Sequence, residues 1–158
     1  MDNGCMAEIS PEKRLAVWQH WYGDATDGFD ACGAYIERDA KADTDNAWEV
    51  DHIFPAEILE IMKVPDEMIN DPANLRPLHH SNNESKGISY PRYLAKRVQP
   101  GTDTRQAVPL EKQQELARLY HAWIAQFHHY AKIRKFIGLK LSQSERQALY
   151  SLILARLW

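Results

Sequence analysis

The chain has little with which to cross-link itself. Its two cysteines, Cys5 and Cys32, exclude a disulfide-rich framework and a four-cysteine zinc site. They suit reduced thiols, so a cytoplasmic protein is expected. A bridge between them has weak grounds, because Cys5 lies in a terminal stretch. No apolar run approaches the ~20 residues of a membrane span, so no membrane partner is expected. Met1 to Ser10 lacks the basic start and apolar stretch of a secretory signal. There is no internal repeat and no low-complexity tract. Positive charge is scarce in the first half: residues 1–75 hold 5 Lys and Arg against 17 Asp and Glu, a balance of −12. Residues 76–158 hold 14 against 5, a balance of +9, so the net charge of −3 hides a strong asymmetry. Such a split points to nucleic-acid contact through the basic half. The alternative is two faces that pair internally.

With 44% hydrophobic residues and five Trp in 158 residues, the chain can bury a core as one domain, or one domain with an appendage. Its most informative feature is a motif in two parts, Trp48-Glu49-Val50-Asp51-His52-Ile53-Phe54-Pro55 and Asn74-Leu75-Arg76-Pro77-Leu78-His79-His80-Ser81-Asn82-Asn83-Glu84-Ser85-Lys86-Gly87. Hydrolysing a phosphodiester needs a base for water and a cation for the charge growing on phosphate and leaving oxygen. Asp51 is a hard oxygen ligand suited to Mg²⁺ or Mn²⁺. His52 can take a proton near neutral pH. Neighbours on a strand face opposite ways, so a strand carrying both to one site must end or distort there, and Pro55 fits a strand end. Leu75 to His79 reads as a strand, with a short helix after it. On that helix the Asn83 amide offers a second ligand, and Lys86 shares its face and could hold a phosphate. Each residue also has an ordinary reading: Asp51-His52 as a surface pair, Asn74 as a turn cap after Asp71-Pro72, Lys86 as a lysine facing a helix C-terminus.

Taken in order, these residues resemble the HNH endonucleases, the ββα-metal nucleases. The family pattern is present as Asp51-His52-Ile53-x-Pro55, Asn74-Leu75-x-x-Leu78, Asn83 and Lys86, and the upstream Asp30 to Ile36 is similar to the hairpin before that core. The resemblance covers roughly residues 28–88. It implies a small ββα-metal core, and with the helices read from periodicity at both ends the expected fold is α+β, predominantly helical overall. Residues 1–100 would hold the core and an N-terminal helix, and 101–158 a helical extension packed on it or forming a homodimer interface. It implies a DNA-cleaving enzyme with His52 as general base and Asn74 bracing the loop. One divalent metal, Mg²⁺ or Mn²⁺, would be held by Asp51 and Asn83. Lys86, Arg76, Arg92, Lys96 and Arg97 are the expected nucleic-acid contacts. Positions that carry zinc cysteines in many relatives are Phe29, Cys32, His79 and Asn82, so no structural zinc is expected. Gly87 stands where some relatives have a third histidine ligand. Other readings are a binding module on a core that no longer cleaves, and a nuclease for RNA or for branched or nicked substrates.

Around the motif, Ser10-Pro11 predicts a helix start, with Leu15, Trp18, Trp21 and Tyr22 as its core face and Gly23 as its end. A short hairpin is expected around Cys32 to Ile36. Ala56 to Met62 predicts a helix with Ile58, Leu59 and Met62 inward, and Pro65 begins another turn. Arg92 to Arg97 reads as a short basic helix and 102–107 as a linker. A long helix from Pro109 carries Leu116, Leu119, Tyr120, Trp123, Phe127 and Tyr130. Ser142 opens a last helix. His121 and His128, with His129 beside them, read as exposed or interfacial histidines, or as a second metal site. Lys132, Arg134, Lys135 and Lys140 form a second basic cluster.

Overall fold

The helix expected after Ser10 forms as α1 (Pro11–Tyr22) in the computed structural model, which describes residues 9–123. The Ser10 side chain accepts from the Lys13 backbone N–H, Pro11 takes the first turn, and Gly23 ends the helix at φ +60°. Its buried stripe is narrower than expected. Of the four apolar residues named above only Trp18 is buried, with Val17 beside it, while Leu15 is 45% and Trp21 43% exposed. Trp21 still contacts the rest of the fold, because its indole N–H donates to the Leu75 carbonyl.

Three antiparallel hairpins follow. The first joins β1 (Asp27–Phe29) to β2 (Tyr35–Glu37). The second joins β3 (Trp48–His52) to β4 (Leu75–His79) across a long connection holding α2 (Ala56–Ile61), α3 (Asp66–Ile69) and a 3₁₀ turn, Pro72–Asn74. β4 runs straight into α4 (His80–Lys86), which Gly87 ends at φ +52°. The third joins β5 (Arg92–Leu94) to β6 (Arg105–Ala107), and α5 (Leu110–Leu119) follows. The described chain is thus a small mixed α/β fold of short hairpins and helices.

The third hairpin corrects two expectations, the basic helix over Arg92 to Arg97 and the linker over 102–107. Tyr93 and Ala95 are buried while Arg92, Leu94 and Lys96 are exposed. That alternation has the period of a strand, not of a helix.

The main core lies around the β3–β4 connection. Ile58, Leu59 and Met62 are buried as expected, together with Ile53, Phe54, Ile69, Leu78 and Tyr90. Leu116 of α5 and Tyr120 just after it close this core, and Leu119 and Trp123 pack beside them. Phe54 stacks on Tyr90 at 4.8 Å and meets Tyr120 edge-on at 5.3 Å. Each such ring pair adds about 0.5–1.5 kcal/mol beyond the area it buries. The connection is therefore packed into the core, and the residues that flank it are held in place. Phe127, Tyr130, His128, His129, the basic cluster from Lys132 and the helix after Ser142 lie outside the described residues. Among the described residues no helix is long and apolar enough to cross a membrane.

Candidate functional site

β3 and β4 pair in a register that sets Asp51 opposite Arg76 and His52 opposite Leu75. Strand alternation puts Glu49 and Asp51 on one face of β3 and His52 on the other. The contacts agree. On the first face, Asn83 of α4 donates from Nδ2 to Glu49 Oε1 at 2.8 Å, and Lys86 Nζ lies 3.1 Å from Asp51 Oδ1. Asn83 and Lys86 are three apart, so one face of α4 lies across Glu49 and Asp51. On the other face, His52 Nε2 lies 2.7 Å from Asn70 Oδ1, just beyond α3. β3 ends at His52, and the Lys86 ammonium also donates to the His52 carbonyl.

Asp51 is 2% exposed and each of its oxygens meets a cation: Arg76 Nε donates to Oδ2 at 2.8 Å and Lys86 Nζ lies 3.1 Å from Oδ1. Burial alone would push this carboxyl up, but the two cations outweigh it and hold Asp51 below the usual carboxylate range. Lys86 and Arg76, expected at a phosphate, are 1% and 5% exposed. Their placement differs from that surface role for an electrostatic reason. A carboxylate taken out of water needs compensating charge, and these side chains supply it. The oxygen donors on this face, Asp51, Glu49 and the Asn83 amide, have the chemistry that suits Mg²⁺ or Mn²⁺. An ion reaching Asp51 Oδ1 would compete with Lys86 for it, cation against cation.

Burial pushes the His52 imidazole below its usual range, against the opposing pull of the Asn70 hydrogen bond and of Asp51. Burial thus favours the neutral form of the ring. Asn74 is fully buried behind it. Its Oδ1 accepts the Phe54 N–H at 2.7 Å, and its Nδ2 donates to the carbonyls of Phe54 and Ile69, both at 3.1 Å. This side chain braces the two ends of the connection through hydrogen bonds to backbone groups.

Phe29, Cys32, His79 and Asn82, the four positions weighed for zinc in the sequence, are joined differently. Phe29 is 65% exposed, while Cys32, His79 and Asn82 are buried around Asp30. Asp30 Oδ1 accepts from the N–H groups of Cys32 and Ala34, and Oδ2 accepts from the His79 N–H and Asn82 Nδ2. Asn82 in turn bonds both backbone groups of Arg97. This network ties the first hairpin, the β4–α4 junction and the segment after β5 together with hydrogen bonds. Burial pushes the Cys32 thiol up to about 11, so it is no nucleophile at neutral pH.

His79 is an interior cap: its Nδ1 accepts from the Ser81 N–H and its Nε2 bonds the Asp45 carbonyl. His80 stacks on it at 4.5 Å and lines a cleft of about 700 Å³ with Arg14, Asp43, Trp48, Glu49 and Glu84. That cleft opens beside the Glu49–Asn83 pair. Of the other expected contacts, Arg92 and Lys96 are exposed, whereas the Arg97 guanidinium is paired with Asp45.

Three residues at this site were missed in the sequence. Glu49 was legible, because period two puts it on the face of Asp51. Asp30 carried a fainter sign, an acidic residue three before Gly33 in a tight turn. Asn70 carried none, since its contact with His52 spans 18 residues. Compared with family models, curated proteins and solved structures, the chain matches none of them.

Proposed function

We propose that this chain is a metal-dependent HNH endonuclease that hydrolyses DNA, with the β3–β4 hairpin and α4 as a ββα-metal core. One observation carries the reading. A carboxylate and an imidazole are consecutive residues at the end of β3, where the strand stops: Asp51 faces α4, which brings Asn83 to the same face, and His52 leaves on the other face, with Asn74 bracing the turn that follows it. Asp51 and Asn83 would hold a Mg²⁺ or Mn²⁺ ion, which would supply Lewis-acid stabilisation of charge at the scissile phosphate. His52, neutral and half-buried, takes the proton from the attacking water. The new bond forms from water oxygen to phosphorus, the bond to the 3′ oxygen breaks, and the product carries a 5′ phosphate. Arg92 and Lys96, exposed on and just after β5, hold the phosphate backbone.

The deciding experiment is incubation with supercoiled DNA, linear DNA and RNA across Mg²⁺, Mn²⁺ and a chelator. Cleavage of DNA that needs the divalent ion is the expected result. Absence of cleavage with every ion overturns the enzyme reading, and cleavage of RNA alone reassigns the substrate. A second reading, a binding module on a core that no longer cleaves, is favoured by one observation: both Asp51 oxygens already hold side-chain cations. The same assay separates the two.

Backbone binding makes a second prediction. Neutralising Arg92 and Lys96 together is expected to weaken binding about equally for unrelated DNA sequences. It also lowers the slope of log affinity against log salt by up to about 0.9 for each phosphate left without its cation. Neutralising Arg97 has the smaller effect, since its charge is shared with Asp45. Equal salt slopes in wild type and double variant mean that the DNA-binding surface lies elsewhere.

A further inference from the structure

We infer that Asn70 is a positioning residue for His52: its amide oxygen fixes the imidazole in the Nε2–H form and turns the Nδ1 lone pair to the reaction. The proposal rests on the nuclease reading for its purpose, and on hydrogen-bond chemistry for its content. His52 Nε2 and Asn70 Oδ1 are 2.7 Å apart. An amide oxygen only accepts, so Nε2 must donate; a neutral imidazole has a single N–H, so Nδ1 is then the acceptor. With the amide in this orientation, the other tautomer would set two lone pairs against each other.

The position of Asn70 is itself fixed. Its backbone N–H donates to the Asp66 carbonyl at 2.9 Å, and the preceding residue, Ile69, is fully buried. The Asn74 side chain donates to the carbonyl of Ile69 and also bonds both backbone groups of Phe54. One buried amide thus holds the residue before Asn70 and the second residue after His52. Both ends of the His52–Asn70 bond hang from this brace. The segment between the motif halves, packed into the core through Ile58, Leu59 and Met62, delivers Asn70 to the ring. When Nδ1 takes the proton from water, the Nε2–H···Oδ1 bond remains and becomes charge-assisted, which stabilises the cation formed.

Imidazole ¹⁵N NMR on the intact protein tests the hydrogen bond without any need for activity. Wild type and Asn70→Asp, which keeps an acceptor, are expected to show His52 as the Nε2–H tautomer. Asn70→Ala is expected to show a mixture or the Nδ1–H form. A wild-type ring protonated at Nδ1, or an Asn70→Ala ring identical to wild type, overturns the proposal. In DNA cleavage, Asn70→Ala should lose about 10- to 100-fold in kcat, the usual worth of an outer-shell orienting partner. KM should be unchanged, and Asn70→Asp should recover most of the loss. A tautomer shift in Asn70→Ala with kcat unchanged also overturns the positioning role. If the wild-type protein cuts no DNA, the nuclease reading falls, and the NMR result alone still decides whether Asn70 sets the ring.

Discussion

His52→Ala is expected to lower DNA cleavage by about 10²- to 10⁴-fold, the span over which a general base contributes, while the fold stays intact. The expectation follows from the position of the ring. His52 is half-buried on the face of β3 away from Asp51, and its side chain bonds the half-buried Asn70, so removing it strands no charge. The pH profile gives a second readout. Burial lowers the folded-state pKa of His52 below its ordinary value, so the rate should climb with pH along a limb centred below pH ~6.5 and level off by neutrality. A divalent ion at Asp51 adds positive charge nearby and moves that limb further down. A His52→Ala variant that cuts within about threefold of wild type would remove His52 from the base role. So would a wild-type limb centred well above the ordinary imidazole value.

How much of this was legible in the sequence depended on whether the signal was local. The β4 strand, the helix from Ser10 and the helices of the β3–β4 connection were readable because caps, prolines and apolar periods lie within a few residues of each other. The β5–β6 hairpin was not. Its strands are three residues each, and Arg92 to Arg97 has enough charge and helix-compatible residues to mimic a helix until the burial of Tyr93 and Ala95 sets the period. The motif residues were legible by type, and their roles less so. The pairing of Asp51 with Arg76 depends on how a 22-residue connection, 53–74, returns to β3, which no local pattern encodes. The same holds for Asp30, two of whose donors lie 49 and 52 positions away. Roles that rest on one side chain and its strand could be assigned, whereas those that rest on register needed the fold.

Asp51→Ala is expected to cost about 3–5 kcal/mol of stability, the usual effect of removing one partner from a buried ion pair. Against a total of about 5–15 kcal/mol for a domain, that is enough to unfold a sizeable fraction near physiological temperature. The substitution leaves Arg76 and Lys86 facing each other, 5% and 1% exposed, with no carboxylate between them. Lys86→Met should be milder, because it removes one cation, leaves the Asp51–Arg76 pair in place and fills the same volume with an apolar stem. Combining the two changes should recover part of the Asp51→Ala loss, since Arg76 is then the single stranded charge. Urea unfolding of the three variants checks the order. An Asp51→Ala protein within about 1 kcal/mol of wild type would mean that this charge cluster does not hold α4 to the hairpin. The same series bears on the metal. Lys86→Met frees Asp51 Oδ1, so Mn²⁺ affinity measured by calorimetry should rise above wild type, whereas Asp51→Ala, kept cool enough to stay folded, should lose it. Equal affinities in all three proteins would move the ion away from Asp51. Stability and metal affinity should then change in opposite directions in Lys86→Met and together in Asp51→Ala, because an ion held by Asp51 would compete with Lys86 at one carboxylate oxygen.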